Sequence, residues 1–554
     1  MSDEMSSRSS TSPNEDLPME GHTAHHVVSD DFEDIDLEEC VPDEAELPDV
    51  DSDLAKTRLA RLVAMIERME PTRPEIMRAV PLHRVLACVG KVFWTAEGDF
   101  FQLSKETTSY DEFLSHSWQV ESWKKVLLLM ILKNGFPASV IGTSGALLMV
   151  VLWQFGFLPG FVKLEFQFSF WCSVVGMTLG LSTLIFWRSH RLVFVDRMCI
   201  NQFDGRMKAE GIMNIGAMLK ASKSLLVVWD ESYADRLWCI FELAAFLKAH
   251  PEVSSGKSRI LQVKPLMLGF TVCNLCVCVF LAGTFGVLNP AEDLMVIWSL
   301  LLLFMLFEGL SLSHTVRGYY RSLEASNRKL QQFELRHSFC WCCSVNHLNP
   351  ASGQPIQVCD REIVRQCVTS WFGSEQEFDH SVRSVVAHAL KQQLGCDAFP
   401  YTWMLGSTTP LLWPLFDFVA SYQGAEKMRY LAPSWAIRIL AYWLWGIPFP
   451  ATVGLFAARC LREKGQSRFR DFLKTLLVII IAAPCGLVVI GWQIYIELNF
   501  FDELQSGHET WASLLFVGGC AVMFWAARKA YHLSNQRFFK NRSSSKASFP
   551  SGWS

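Results

Sequence analysis

The chain has 554 residues, a formal net charge of −5 at pH 7 and a hydrophobic fraction of 50%, so its length allows two to four domains. Residues 1–55 carry 18 Asp and Glu against one basic residue, Arg8, and the remainder is therefore net basic. We expect that basic charge to face anionic lipid headgroups rather than nucleic acid. The 17 cysteines lie largely in apolar runs or in segments we predict to be cytosolic, which argues against a secreted disulfide framework.

The first two segments of the chain differ in composition. Residues 1–55 have too few apolar side chains to offset the entropy of ordering, so we predict a disordered acidic tail, and they lack the pattern of a signal peptide. Residues 56–90 carry apolar side chains at helical spacing among Arg and Lys, with Pro71 and Pro74 to end a helix. This pattern predicts an amphipathic helix, with a membrane surface as one location for it.

Eight hydrophobic stretches are predicted membrane spans, because a hydrocarbon core about 30 Å thick requires roughly 20 apolar residues per helix. The eighth stretch, 403–421, is interrupted by Pro410, Pro414 and Asp417. The other seven are uninterrupted: 137–158, 166–187, 265–287, 294–314, 434–458, 473–496 and 511–530.

The charge of the connecting segments favours the eighth span. Lys and Arg are concentrated in 188–264, 315–402, 459–474 and the C-terminal tail, whereas 497–509 has neither. Positively charged connecting segments face the cytosol. All four can do so only if 403–421 crosses, which predicts an integral, multi-pass protein with both termini in the cytosol. The remaining loops are short, which argues against an extracellular ligand-binding domain.

An α/β pattern is divided by the first pair of predicted spans. Residues 110–118 are typical of a buried strand followed by a polar loop, and residues 192–196 and 224–229 of two further strands. Their alternation with helical segments indicates a parallel sheet with crossover helices. In such sheets, ligands bind beyond the carboxyl ends of the strands. The side chains expected there are those of His116, Ser117, Asp196, Arg197 and residues 233–242.

The residues of this pattern resemble the Toll/interleukin-1 receptor (TIR) domain, especially its plant-type form. The segments concerned are Tyr110-Asp-Glu-Phe-Leu-Ser115, Phe194-Val-Asp196, Ala221-Ser-Lys-Ser-Leu-Leu-Val-Val228 and Ser232-Tyr-Ala-Asp-Arg-Leu-Trp-Cys-Ile-Phe-Glu-Leu243. Residues 195–202 are also similar to the fungal heterokaryon-incompatibility domain, a relative of TIR. The resemblance covers roughly a fifth of the chain. Its interruption by a transmembrane hairpin is similar to that of multi-pass membrane proteins of dinoflagellate-type protists.

The expected fold class is thus a multi-pass α-helical membrane protein with about eight spans and a cytosolic α/β parallel-sheet domain, TIR-like or flavodoxin-like. Within residues 362–393, apolar residues at helical spacing predict two helices that pack on this domain or on a second copy of it. After residue 90 we expect the first half of the TIR-like domain (91–125), a transmembrane hairpin (137–187), the second half (188–262), a second hairpin (265–314), a helical, cysteine-containing cytosolic segment (315–402), four spans (403–530) and a basic cytosolic tail (531–554).

The resemblance implies cleavage of the nicotinamide–ribose bond of NAD, with Glu242 as the catalytic carboxylate. NAD would be a substrate, and no cofactor is expected. The candidate contacts to NAD are Ser115, His116, Asp196 and Trp238. TIR-type active sites are commonly completed by a neighbouring domain, which implies a homo-oligomer.

The same residues have structural interpretations. Glu242 could cap or solvate the start of its helix, and Trp238 could be a core residue. Many TIR domains only bind other TIR domains, so a non-catalytic interaction module is the second hypothesis.

The cysteine-containing segment offers candidate metal ligands in Cys340, Cys343, His347 and Cys359. Thiolates and an imidazole are ligands that zinc prefers, although this spacing matches no standard zinc finger. Palmitoylation, or thiols without a function, are the alternatives.

Two ionisable residues within the predicted spans, Glu308 and Asp417, raise a third hypothesis, a channel or transporter. No internal repeat or pair of broken helices in the sequence supports it. All three hypotheses have the lipid bilayer as a partner, and none requires nucleic acid.

Overall fold

The computed structural model describes residues 51–95, 98–163, 166–253, 260–288, 294–348, 350, 353–356, 358–394, 399–424, 432–500 and 508–545. Nearly all of the expected acidic tail therefore lies outside the described residues. The expected basic tail is described as far as Ser545, where it continues the last helix.

The described chain is mostly helical, with a small mixed sheet. Its strands are β1 (Arg78–Pro81), β2 (Lys105–Glu106), β3 (Glu112–Ser115), β4 (Phe161–Lys163), β5 (Phe166–Phe168), β6 (Leu192–Phe194), β7 (Leu225–Trp229) and β8 (Leu261–Pro265). Its helices are α1 (Asp51–Arg68), α2 (Leu82–Val85), α3 (Ala87–Trp94), α4 (Ser122–Gln154), α5 (Trp171–Phe186), α6 (Asp196–Cys199), α7 (Gly205–Met213), α8 (Ile215–Lys220), α9 (Leu237–Ala249), α10 (Met267–Leu288), α11 (Leu294–Gln331), α12 (Trp341–Ser344), α13 (Asp360–Phe372), α14 (Glu375–Leu394), α15 (Tyr401–Thr408), α16 (Leu412–Gly424), α17 (Ala432–Ala441), α18 (Pro448–Cys460), α19 (Arg468–Phe500) and α20 (His508–Ser545).

Six of the eight strands form the mixed sheet, in the order β2-β1-β6-β3-β7-β8, and β4 and β5 form a separate pair. The last four strands of the mixed sheet are parallel, and β1 and β2 add an antiparallel edge. Counted along the chain, the parallel strands lie in the order 2-1-3-4, as in flavodoxin-like sheets, whose ligand site is at the switch point between the first and third strands. Here that point lies between β3 and β7.

The two segments on either side of the first hydrophobic helix pair are neighbours in this sheet. Glu112 pairs with Val193, and Phe113 pairs with Leu225. All five residues of β7 are buried, as expected for an apolar strand covered on both faces. The predicted union of the two separated segments is confirmed.

Helix α4 serves both the sheet and the hydrophobic helix pair. Its first turns bury Val126, Leu128 and Leu129 in the same core as β3 and β7. The helix then continues to Gln154, packs against α5, and the chain returns to β6. The crossover between β3 and β6 is therefore the hairpin of α4 and α5 itself, which ties the sheet to these apolar helices.

The expected helix at 56–90 is wrong in extent. Helix α1 ends at Arg68, and the chain then forms β1 on the free edge of β6. Leu62 and Ile66 of α1 are buried in the main core, where the helix packs on α13, α7 and α8. The apolar face of α1 is thus used for packing rather than on a membrane surface.

Five helices of the described residues are long and apolar enough to cross a membrane, which indicates a membrane protein. They are Ser122–Gln154, Met267–Thr284, Ala432–Cys460 (which includes both α17 and α18), Arg468–Asn499 and Trp511–Leu533. Helix α5 is apolar but has only 16 residues, about 24 Å at 1.5 Å per residue. The expected span at 294–314 lies within α11 and is not among the five.

The expected eighth span at 403–421 is divided into three short pieces, α15, a 3-10 turn and α16. Pro410 lies in that turn and lacks the N–H that a continuous helix would use. Helix α16 packs between α4, α5 and α10. Its Trp413 lies against Gly142 and Gly176, where a Cβ atom would come within 2.7 Å of the indole.

Helices α13 and α14 cover the sheet domain, α13 against α9 and α14 against β8. Val364 and Val368 of α13 and Val386 of α14 are fully buried there. The prediction of two helices packing on the sheet domain is confirmed.

Candidate active site

A cavity of about 40 Å³ lies at the carboxyl edge of the sheet, beside the ends of β3 and β7. It coincides with the switch point where a parallel sheet of this order binds ligands. Its lining comes from the loops after β3 and β6, from the start of α9, and from a later segment: His116, Ser117, Trp118, Asp196, Arg236, Leu237, Trp238, Cys239, Glu242, Phe339, Cys340, Trp341 and Asp360. Four of the five predicted site residues line the cavity, and the fifth, Ser115, contacts Glu242.

A chain of hydrogen bonds begins at Glu242. Ser115 Oγ lies 2.5 Å from Glu242 Oε2 and 2.6 Å from the hydroxyl of Tyr233. That tyrosine hydroxyl donates to the carbonyl oxygen of Cys239 at 3.1 Å. In its contact with Glu242, the hydroxyl of Ser115 is the donor and the carboxyl oxygen is the acceptor.

The surroundings of Glu242 favour the protonated acid. Burial removes water from the carboxyl group and raises the pKa of Glu242 to about 8, and the negative charge of Asp196 adds to the effect. The hydrogen bond from Ser115 opposes the shift and is the weaker influence. At neutral pH most copies of Glu242 are therefore neutral.

Asp196 is held at the end of β6 by two donors. Trp118 Nε1 donates to Oδ2 at 2.7 Å, and the backbone N–H of Arg197 donates to Oδ1 at 2.7 Å. Burial nevertheless raises the pKa of Asp196. The Arg197 guanidinium is fixed by donating to the carbonyl oxygens of Val92 and Thr95.

His116 is buried between aromatic rings. Its ring lies edge-on to Trp118 and Phe93, with centroids 4.6 and 5.5 Å away. Its Nε2 atom has no hydrogen-bond partner among the described residues. Burial, together with the nearby charge of Lys125, lowers the pKa of His116 well below its ordinary value, so the imidazole is neutral at pH 7.

Trp238 lines the cavity and is half-buried. Its ring packs edge-on against Phe241 with a centroid distance of 5.4 Å. The indole thus has one side in the core and one at the cavity. Trp238 is therefore both a core residue and a residue that lines the candidate site.

The segment 339–341 is a site component that the sequence analysis did not assign. The backbone N–H of Phe339 donates to Asp235 at 2.6 Å, and that of Leu237 donates to Phe339 at 3.3 Å. These bonds hold 339–341 across the cavity as a short strand-like cap. Tyr233 was expected at this edge of the sheet, but no local pattern indicates its contact with Ser115.

Cys340 of the cap is one of four cysteines that form a second cluster beside the cavity. The sulfur atoms of Cys340, Cys342, Cys343 and Cys359 lie within 4.8 Å of one another. His347, one of the predicted ligands, is not part of this group, and Cys342 belongs to it instead.

The candidate site thus combines a half-buried carboxylic acid, a second carboxyl group, a neutral imidazole and an indole. Such a set can stabilise a developing positive charge once Glu242 loses its proton. No protein-family model, no curated protein and no solved structure matches the chain.

Proposed function

We propose that the protein is a membrane-tethered, TIR-like NAD glycohydrolase with Glu242 as its catalytic carboxylate. The observation that carries the proposal is the convergence of Glu242, Ser115 and Tyr233 at the switch point of a flavodoxin-like sheet. The resemblance of the Trp-Cys-x-x-Glu segment to TIR domains supplies the reaction. A raised pKa on a carboxyl group in a cleft is typical of functional sites.

The reaction suits a single carboxylate. The bond between C1′ of the ribose and the nicotinamide nitrogen breaks, and both electrons leave with nicotinamide as a neutral group. The positive charge that develops on the ribose is stabilised by the ionised Glu242, as in glycoside hydrolysis. Water then adds to C1′ and releases a proton. Because the leaving group is neutral, no general acid is needed.

A second cavity supports a dinucleotide as the ligand. It has a volume of about 210 Å³, and its charged lining residues are Arg197, Lys208 and Asp99. Asp196, which lines the first cavity, is the residue before Arg197. In this proposal the larger cavity takes the phosphate groups of NAD at Lys208, and the small cavity takes the nicotinamide riboside.

The cap must move for this reaction. Ligand pockets are typically about 300–1,000 Å³, whereas the cavity at Glu242 is about 40 Å³. We propose that clustering of the protein in the membrane separates Phe339 from Asp235 and Leu237 and completes the site, while Cys340 stays in the cysteine cluster. The closed cavity also favours a second candidate function, a TIR-like interaction module that binds its own kind without catalysis.

We further propose that the sheet domain and both termini face the cytosol, in an eight-span arrangement. The basic connector before α19 supports this orientation, because Arg317 of α11 donates to the carbonyl oxygen of Leu461 at 2.8 Å and pairs with Asp471 at 2.8 Å. Arg462 likewise pairs with Glu324. Two basic segments that the charge rule assigns to one side are therefore in contact.

Release of nicotinamide from NAD by the full-length protein in liposomes tests the function. We expect turnover by the wild type at high protein density, and a loss of at least about 100-fold in Glu242→Gln. Glu252→Gln is the matched control, since that side chain is 54% exposed just after α9, and its turnover should equal the wild type. Absence of turnover in the clustered wild type would favour the interaction module.

A further inference from the structure

Four cysteine sulfurs meet where the cap joins α13. Cys340 directly precedes α12, Cys342 and Cys343 lie within it, and Cys359 directly precedes α13. The sulfur of Cys340 is 3.0 Å from that of Cys342, and the sulfur of Cys359 is 3.4 Å from Cys342 and 3.5 Å from Cys343. All four lie within 4.8 Å of one another.

We infer that these four cysteines bind one Zn²⁺ ion as a structural site. Zinc bound by four thiolates is tetrahedral with Zn–S bonds of about 2.3 Å, which separates the sulfurs by about 3.8 Å. The observed separations, from 3.0 Å up to the limit of 4.8 Å, bracket that value. All four cysteines are free, and a disulfide would need sulfurs about 2.05 Å apart. An iron–sulfur cluster would distribute its cysteines over several irons and so hold them farther apart.

The backbone between the cysteines is shaped to bring them together. Asn346 and His347 both have a φ of 57°, a left-handed conformation that Asn and His adopt more often than most residues other than glycine. The turn they form lets the N–H of His347 donate to the carbonyl oxygen of Cys342 at 2.7 Å. Ile356 N–H then donates to the carbonyl oxygen of His347 at 2.8 Å, which returns the chain toward Cys359.

The ion would fasten the cap. Cys340 lines the cavity at Glu242, next to Phe339, whose backbone pairs with Asp235 and Leu237. Cys359 anchors the other end of the loop to α13, which packs on α9. With four protein ligands the ion has no open position, so its role is structural rather than catalytic. The site holds whether or not the protein cleaves NAD.

Metal analysis of the purified full-length protein tests the inference. The protein is isolated in detergent under reducing conditions, and its zinc and iron contents are measured by mass spectrometry. We expect one zinc ion per chain in the wild type and in Cys88→Ser, whose cysteine is exposed and outside the cluster. In Cys342→Ser/Cys343→Ser the content should fall below about 0.1 per chain. Iron in place of zinc, or a wild type without metal, would overturn the site.

A second measurement covers the case in which the double variant does not fold. Wild-type protein is stripped with a chelator and titrated with Co²⁺. We expect one equivalent to bind with the intense visible absorption of tetrahedral cobalt thiolate, and Zn²⁺ to displace it. Absence of that absorption overturns the inference, as does an intact mass that reveals S-acylation of these cysteines.

Discussion

The buried Asp417 and the half-buried Glu242 differ in how many hydrogen-bond donors contact their carboxyl groups. Asp417 is 1% exposed, and it accepts hydrogen bonds from the N–H groups of Cys172 and Ser173 at 2.9 and 2.8 Å and from two hydroxyl groups, those of Ser173 and Ser169, at 2.7 and 3.4 Å. It therefore caps the start of α5 from a neighbouring helix. Glu242 contacts one hydroxyl, that of Ser115, and lies near the negative charge of Asp196.

The difference separates a structural carboxyl group from a functional one. A carboxylate with several donors is stabilised where it lies, and its removal leaves backbone groups unsatisfied. A carboxyl group with a single donor keeps its proton and can release it when a positive charge develops nearby. The contacts of Asp417 account for an ionisable residue in the hydrophobic bundle without a transport pathway.

Asp417→Ala should have the largest effect on stability. It leaves two N–H groups at the start of α5 without an acceptor, and we expect the free energy of unfolding to fall by about 3 kcal/mol. Asp417→Asn keeps one acceptor oxygen and should cost about 1 kcal/mol. Thermal unfolding in detergent measures both. Equal stability of Asp417→Ala and wild type would remove the structural assignment.

Glu242→Gln should change stability in the opposite direction. The pKa of Glu242 is about 8 in the folded chain against an ordinary value of 4.5, so the unfolded chain loses this proton first as pH rises. Stability from this group is therefore present at low pH and is lost between those two values. We expect the variant to be more stable than wild type by about 2 kcal/mol at pH 6 and by less than about 1 kcal/mol at pH 5. A destabilised variant at pH 6 would contradict the comparison.

Ser115→Ala should have the smallest of the three effects. It removes the hydrogen bond that partly lowers the pKa of Glu242, so the pKa should rise by up to about one unit. Nicotinamide release at neutral pH should fall about tenfold, and recover at higher pH. The rate–pH profile of the variant, compared with that of Ser104→Ala outside the cavity, measures the shift. An unchanged midpoint would mean that Ser115 does not act on Glu242.

The sequence predicts the sheet where its strands are apolar runs. Leu225–Trp229 is such a run, and its neighbour β3 was also predicted. The strands β1, β2 and β8 of this sheet were not predicted. β1 and β2 have four and two residues, β1 includes Pro81, and β8 is followed almost directly by the apolar helix α10. The position of β1 and β2 depends on the free edge of β6, which no local pattern indicates.

The candidate site could be predicted only in part for the same reason. Ser115, His116, Asp196, Trp238 and Glu242 come from strand ends and one helix start, so the sheet order alone brings them together. The pairing of Phe339 with Asp235 joins positions about a hundred residues apart. The cysteine cluster contains Cys342 instead of the predicted ligand His347. This difference depends on a left-handed turn that the sequence does not indicate.

The rate–pH profile of wild-type nicotinamide release tests the central claim, that Glu242 is a protonated acid that works as a carboxylate. The full-length protein is clustered on liposomes, and kcat/KM is measured from about pH 6 to 9. Because the pKa of Glu242 is about 8, the account predicts a rate that rises about tenfold per pH unit and levels off above that value. A rate that is constant across this range, or that falls as pH rises, would contradict it.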